Sequence, residues 1–463
     1  MQAVRSFQLS VPISSVGWVP ILAFGLRLAS PTTADASYLL LGTFALTGRV
    51  QAIQALALSW LFTMLSPGIA PTAEYASIGR YGVIAGAALS LLMRSDLLKT
   101  QRGPDRLTTL TLLLGGFIIV HSIFFSPLPD VSILKALSWT VVMSTLLTAW
   151  SRLSLAETEA LESWLYGGLV LIALVSLPLL VLPVGYLRNG TGFQGILNHP
   201  QAFGPTMALL AAWTVGRMIA RRPPPWTSFG LALLCLAFVV MSETRTAGVA
   251  LILGVATAVL AAPLVAGRSL RSMAPALQSH RFQALMFAAV LASIAAGSQL
   301  TGLVTEFISK SGRAQVSNLL EAYDRSRGAM IDEMWENIEE KPWTGVGFGL
   351  ASDLYDFNVK RDPILNLPVG APIEKGVVPV MVLEELGIPG ALLVLVWIWF
   401  FIRRAATRGI MALSVVAVAL LLNSGEAILF SPGGLGLLIL LLLSWAVARR
   451  QQALRNRPGY VGN

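Results

Sequence analysis

Long apolar runs separated by short polar breaks occupy most of the chain, and the length of those runs carries the first information. A helix needs about 20 apolar residues to cross a bilayer, and fewer where neighbouring helices shield it. Roughly fourteen runs qualify on that measure: 15–30, 36–48, 50–66, 75–93, 107–126, 131–150, 165–187, 201–218, 228–242, 246–267, 283–302, 378–402, 409–430 and 433–448. The second, third and last are short, so about 12–14 transmembrane helices are expected. No internal repeat or low-complexity tract interrupts the series. Arg5, the apolar stretch after it and Ala34-Asp35-Ala36 have the outline of a secretory signal, but Arg27 interrupts the stretch and many spans follow, so an uncleaved first span is expected. The pattern predicts an all-α polytopic membrane protein, laid out as transmembrane helices in 1–302, one long external loop in 303–377, C-terminal transmembrane helices in 378–448 and a basic tail in 449–463.

Composition agrees with the pattern. The chain is 55% hydrophobic and 12% charged, with a mean hydropathy of +0.70. A soluble domain carries roughly 25% charged residues, so too little polar surface remains to cover a water-soluble globule. The net charge of +9 is a matter of topology and not of nucleic-acid binding, because basic residues in membrane proteins collect in cytoplasmic loops. With the N-terminus inside, alternate loops hold the groups Arg94–Arg106, Arg217–Arg222, Arg268–Arg281 and Arg403–Arg408 and the tail Arg449–Arg457. Both termini are therefore expected in the cytoplasm and the 303–377 loop in the periplasm. Arg27, Arg80 and Lys135 fall nearer the outer side and are read as snorkelling to the interface. Cys235 is the single cysteine, so no intrachain disulfide can form.

The topology isolates a second set of charges on the outer face. In the long loop, Leu320, Tyr323, Ile331, Met334, Trp335 and Ile338 recur at three- and four-residue spacing, which predicts an amphipathic helix from Leu319 to Glu340 ended by Pro342. Arg327 shares its apolar face, which aims the guanidinium at the membrane domain. Gly345, Gly347 and Gly349 follow in Pro342-Trp-Thr-Gly-Val-Gly-Phe-Gly349; alternating glycines suit either a phosphate contact or tight packing. Tyr186 to Gly204 sets Arg188, Asn198 and His199 among glycines, and His199 is either a structural hydrogen bonder or a catalyst. Arg245 occupies a short outer turn in Ser242-Glu-Thr-Arg-Thr-Ala-Gly248 and should have an anionic partner, Glu243 or a ligand. Glu374-Lys375 precedes the span carrying Glu384, Glu385 and Gly387-Ile-Pro-Gly390. Planar guanidinium forks match phosphate oxygens bidentately, so a lipid phosphate or diphosphate is the simplest shared ligand. The residue spacing offers no metal-ligand constellation, and neither a cofactor nor a metal is expected.

In order, these pieces resemble the O-antigen ligase and polymerase superfamily of bacterial inner-membrane proteins: Asn198-His-Pro, Ser242 to Gly248, Ser326-Arg-Gly with Trp335, Pro342 to Gly349, and Glu384-Glu-Leu-Gly-Ile-Pro-Gly390. The N-terminal spans resemble the family only in hydropathy. The resemblance implies a fold similar to the C-type glycosyltransferases and a metal-independent transfer from an undecaprenyl-diphosphate-linked oligosaccharide on the periplasmic face. Membrane lipids and a chain-length regulator protein are the implied partners. Arg188, Arg245 and Arg327 would hold the diphosphate as catalytic groups, with His199, Asn198, Lys375 and the three glycines as substrate contacts. Ligases resembling this chain carry a histidine in the external loop before the span that begins here near 378. This chain has histidines only at 121, 199 and 280, and Glu374-Lys375 stands in that place. The departure favours a polymerase of surface polysaccharide repeat units, with Glu374 as the first candidate for the base and Glu384, Glu385 and His199 as the next. An O-antigen ligase is the alternative, and a lipid-linked glycan transporter or assembly factor is the alternative of another class.

Overall fold

A computed structural model describes residues 17–94, 105–295, 297, 319–354, 357–361, 366, 368–370 and 375–448. Glu374, the 449–463 tail and the start of the long loop lie outside the described residues. Each of the fourteen apolar runs coincides with a helix. They are α1 (Val19–Ala29), α2 (Pro31–Leu46), α3 (Arg49–Met64), α4 (Ala76–Met93), α5 (Arg106–Phe125), α6 (Pro129–Arg152) and α7 (Leu155–Ser176), then α8 (Pro200–Ile219), α9 (Trp226–Met241) and α10 (Arg245–Ala266). After the four-residue turn α11 (Leu270–Met273) come α12 (His280–Ala295), the loop helix α13 (Leu319–Glu340), α14 (Val378–Arg408), α15 (Ile410–Leu422) and α16 (Gly434–Ala446). Among the described residues, six of these helices are long and apolar enough to cross a membrane, and four more are shorter but apolar. The chain is a multi-pass membrane protein.

Local chemistry explains several boundaries. Ser30 closes a capping box with Thr33, and Pro31 fills the first helical position of α2, where the missing N–H costs nothing. A second capping box, Ser154 with Glu157, starts α7 at Leu155, ten residues before the apolar run from which a span was expected. Its first turns carry Glu157, Glu159 and Glu162, which hydropathy alone discards. At the other end of the chain the 409–430 run is cut short: α15 stops at Leu422, and Asn423-Ser-Gly-Glu426 forms a turn.

Packing places the most apolar helices at the centre. All but one residue of α16 is buried, and α8 is buried on nearly every side, as expected of helices hydrophobic all round. Trp213 of α8 and Trp445 of α16 pack with ring centroids 4.0 Å apart. Outward-facing side chains such as Leu233, Ile252, Leu260 and Leu264 are exposed apolar groups, the surface a lipid-facing helix presents. Helices α2 and α4 cross where Gly86 lies against the Gly42 backbone, which leaves no room for a Cβ.

Charged contacts sort to two ends of the bundle. At one end Arg404 of α14 pairs with Asp105, and Arg408 reaches the Trp445 carbonyl and Glu162. At the other end α13 and the loop after it lie on the head of α14. A two-stranded ribbon, β1 (Lys360–Arg361) and β2 (Pro368–Gly370), is tied to α6 there by an Arg361–Asp130 ion pair of 2.6 Å.

Candidate functional site

The head of α14 is built around a break. Gly387 adopts φ 63°, ψ −174° inside the helix, and Pro389 follows with no N–H to donate. A break of this kind frees backbone groups that must bond elsewhere. The 342–349 loop takes them up: Val346 N donates to Glu384 O at 2.9 Å, Gly347 N to Glu385 O at 3.1 Å, and Ile388 N donates back to Pro342 O at 2.9 Å. The three glycines allow this docking. Gly345, Gly347 and Gly349 all have positive φ, and a Cβ on Gly345 would lie 2.6 Å from the Glu384 carbonyl oxygen. These glycines therefore face protein backbone and side chains, which is the packing alternative of the sequence pattern.

Beneath the loop lies a buried charge cluster. Lys375 Nζ is 2.6 Å from Glu384 Oε2 and 3.1 Å from Glu385 Oε1, and the three side chains are 2%, 0% and 1% exposed. Asn337 of α13 donates to Glu384 Oε1 at 2.8 Å, and Gly349 N donates to Glu385 Oε2 at 2.7 Å. One cation and two carboxylates thus join three segments: the residues before α14, α14 itself, and the α13–loop unit. Lys375 is occupied by these partners and turned away from solvent. From the N-terminal half, Lys135 donates to Gly349 O at 2.5 Å and His121 Nε2 stands 2.5 Å from Thr344 O. Lys135 therefore belongs to the loop's anchorage.

Arg327 reaches another place, the turn after α15, on which the start of α10 also packs. Helix α13 turns Met334 and Ile338 inward while Tyr323 and Trp335 stay partly exposed, so Arg327 points to the bundle as its periodicity predicts. Its Nη2 donates to Gly425 O at 2.5 Å and lies 3.6 Å from Glu426 Oε1. Tyr323 donates to Ser424 O at 2.9 Å; partial burial pushes its phenol above the ordinary value, against the opposing pull of Arg327. Gly425 is also where Thr246 packs, and Thr246 directly follows Arg245, the first residue of α10. The preceding Glu243 has φ 53°, a conformation costly for a non-glycine residue and concentrated at functional sites. Asn423 knits the turn, accepting from Leu429 N at 2.8 Å while its own carbonyl takes Val378 N at 2.9 Å.

Arg188 sits on a neighbouring loop. The hairpin closed by Tyr186 and Phe193 carries it exposed near the tip, and Phe193 N donates to Met241 O at 2.8 Å, beside the turn that begins α10. His199 caps α8, its Nδ1 accepting from Gln201 N at 3.1 Å. Asn198 donates its backbone N–H to Met64 O at 2.8 Å and faces the N-terminal helices. The structure thus seats Arg327 on the turn at Gly425, places Arg245 at the start of α10 and Arg188 on the exposed hairpin, puts Lys375 in the buried cluster, and lines a separate cavity with Asn198. Sequence reading missed the Asn423–Glu426 turn. Its signal was three polar residues and a glycine inside an apolar run, read there as part of a span.

Residues 230–371 match the O-antigen ligase family. The match supports the O-antigen ligase/polymerase superfamily, whose activity is of the glycosyltransferase type on lipid-linked glycans. The matched stretch runs from α9 through Arg245, Arg327 and the docked glycine loop, so it contains two of the three arginines. Among curated proteins, none matches the chain.

Proposed function

We propose that the protein is a polymerase of surface polysaccharide repeat units, O-antigen or exopolysaccharide, working at the periplasmic face of the bacterial inner membrane with a fold of the C-type glycosyltransferase kind. Undecaprenyl-diphosphate-linked glycan is the donor and a lipid-linked glycan the acceptor. The observation that carries the reading is that Arg327 and Thr246, the residue after Arg245, both pack on the turn at Gly425, with both arginines inside the segment that matches the O-antigen ligase family. Each guanidinium has five N–H donors in a rigid fork, so Arg327 keeps donors for a ligand beyond those given to Gly425.

In this mechanism Arg245 and Arg327, with Arg188 on the adjoining hairpin, hold the diphosphate oxygens. The acceptor hydroxyl oxygen attacks the anomeric carbon of the donor sugar and forms the new glycosidic bond. The bond from that carbon to the diphosphate oxygen breaks, and undecaprenyl diphosphate leaves with the electron pair. Fixed positive charge stabilises the negative charge that develops on it. The hydroxyl proton passes to a carboxylate, for which Glu374 is the first choice. Glu426, on the 3.6 Å contact with Arg327, is the second.

A ligase is the second reading, favoured by the description of the matched family; the lack of a histidine anywhere between residues 281 and 463 favours the polymerase. Analysis of the lipid-linked glycans left when the gene is deleted separates them. Accumulated single repeat units support the polymerase, whereas full-length lipid-linked chains reject it in favour of the ligase.

A further inference from the structure

A further concentration of positive charge lies away from this site, among α1, α3, α4 and the start of α8. Here a cavity of about 370 Å³ is lined by Arg27, Thr63, Ser77, Arg80, Asn198 and Gly434. Arg27 is 5% exposed, and its guanidinium is held by backbone carbonyls: Nε and Nη2 donate to Phe62 O at 3.2 and 3.0 Å, and Nη1 donates to Pro71 O. Those contacts fix its direction without neutralising it. Arg80 lies along Gly433 and over the Tyr81 ring at 5.1 Å, and its Nε is buried without a hydrogen-bond partner. Asn198 Oδ1, also on the lining, is a buried acceptor without a partner. Among the described residues neither arginine forms an ion pair. The nearby carboxylate of Asp35 is engaged at 3.0 Å by the Tyr75 N–H.

Two cations at one concavity, one of them with a buried N–H that has no acceptor, call for an anion, because a buried donor without a partner is costly. The anion's source is indicated by the rim. Ile21 of α1 and Ile78 of α4 are exposed apolar side chains, so two of the helices that line the cavity also present lipid-facing surface. We propose that this cavity binds the phosphate of a second lipid-linked substrate, the acceptor. This assignment rests on the polymerase reading, in which both substrates carry a polyprenyl diphosphate and two phosphate sites are needed. The 186–204 segment links the two sites: Asn198 lines the cavity, and Phe193 is bonded to Met241 beside the start of α10.

The test measures binding of undecaprenyl diphosphate to the purified full chain in detergent, by native mass spectrometry and equilibrium titration. Two equivalents are expected for the wild type. Arg80→Ala should weaken one of them about tenfold or more, the scale of a lost charge-assisted contact, with Arg80→Lys in between; Arg245→Ala should weaken the other. Should Arg80→Ala fail to fold, Gly433→Ala serves instead, since its Cβ intrudes on the Arg80 guanidinium and should also lower affinity at that site. Unchanged binding in the folded variants overturns the proposal. So does a wild type that takes one equivalent, removed by Arg245→Ala alone, and that result leaves the polymerase reading standing. Two equivalents retained by Arg245→Ala but not by Arg80→Ala instead defeat the donor clamp and keep this site. Inorganic diphosphate that fills the Arg80 site as tightly as the lipid assigns it to a free anion and overturns the lipid assignment.

Discussion

Replacing Lys375 by Met leaves Glu384 and Glu385 buried without the cation that bridges them. At an effective dielectric constant of about 20, unit charges about 3 Å apart attract by about 5–6 kcal/mol, and Lys375 makes two such contacts, at 2.6 and 3.1 Å. Desolvation of all three groups offsets much of that gain, but removal of one partner exposes the penalty directly, at about 3–5 kcal/mol. The loss should fall on the docking of the outer layer, because the same carboxylates accept from Asn337 and Gly349. Unfolding of the purified protein by titration with SDS, followed by tryptophan fluorescence, measures the total. Limited proteolysis around the exposed Trp343 reports the local release. The triple variant Lys375→Met, Glu384→Gln, Glu385→Gln removes the stranded charges and should recover more than half of the loss. A Lys375→Met protein as stable as wild type to within about 0.5 kcal/mol, the range of ordinary surface substitutions, would refute the argument. Activity lost at unchanged stability would instead make Lys375 a substrate contact.

Arg245→Ala and Arg327→Ala should each cost about 2–4 kcal/mol of transition-state stabilisation, about 30- to 1,000-fold in polymer formation, at normal protein levels; Lys should rescue partly, having charge without the fork. Full activity in both Ala variants rejects the clamp, and EDTA should leave wild-type activity intact. Glu374→Gln should reduce polymer yield across about pH 6–8, where a useful base titrates; a wild-type yield excludes Glu374 and turns attention to Glu426. Reporter fusions after Arg222 and Arg404 should read as cytoplasmic and those near 190 and 350 as periplasmic. A cytoplasmic 350 would put the proposed site in the wrong compartment.

The helices were legible because bilayer length and apolar runs are local properties. So was α13, whose three- and four-residue spacing gives the observed bounds Leu319–Glu340. The motif pieces carrying Arg245, Arg327 and the glycines also stood out, since charge and glycine are rare beside apolar spans. What stayed hidden depends on partners far along the chain. Lys375 reads as a surface cation until Glu384 and Glu385 are seen turned back onto it by the head of α14. Arg27 reads as a snorkelling side chain, yet its partners are the carbonyls of Phe62 and Pro71, 35 and 44 residues away. The Gly387 break is written in Gly-Ile-Pro-Gly, but its use as a docking strip for the 342–349 loop is not. The turn at Asn423–Glu426 was masked by averaging, because three polar residues and a glycine vanish in a window of leucines.

The way α13 is held has a consequence for biosynthesis. Tyr323 and Arg327 bond to residues 101 and 98 positions further on, and Gly349 waits for Glu385, 36 positions further on. A ribosome therefore delivers the outer layer well before the groups that fasten it. Its glycine loop and the cations behind it have no seat until α14 has entered the membrane, and Arg327 has none until α15 has followed. The proposed catalytic arrangement is thus among the last parts of the molecule to form. A nascent chain halted before residue 423 would carry every arginine of the proposed clamp and still lack the Ser424 and Gly425 carbonyls that fasten Tyr323 and Arg327.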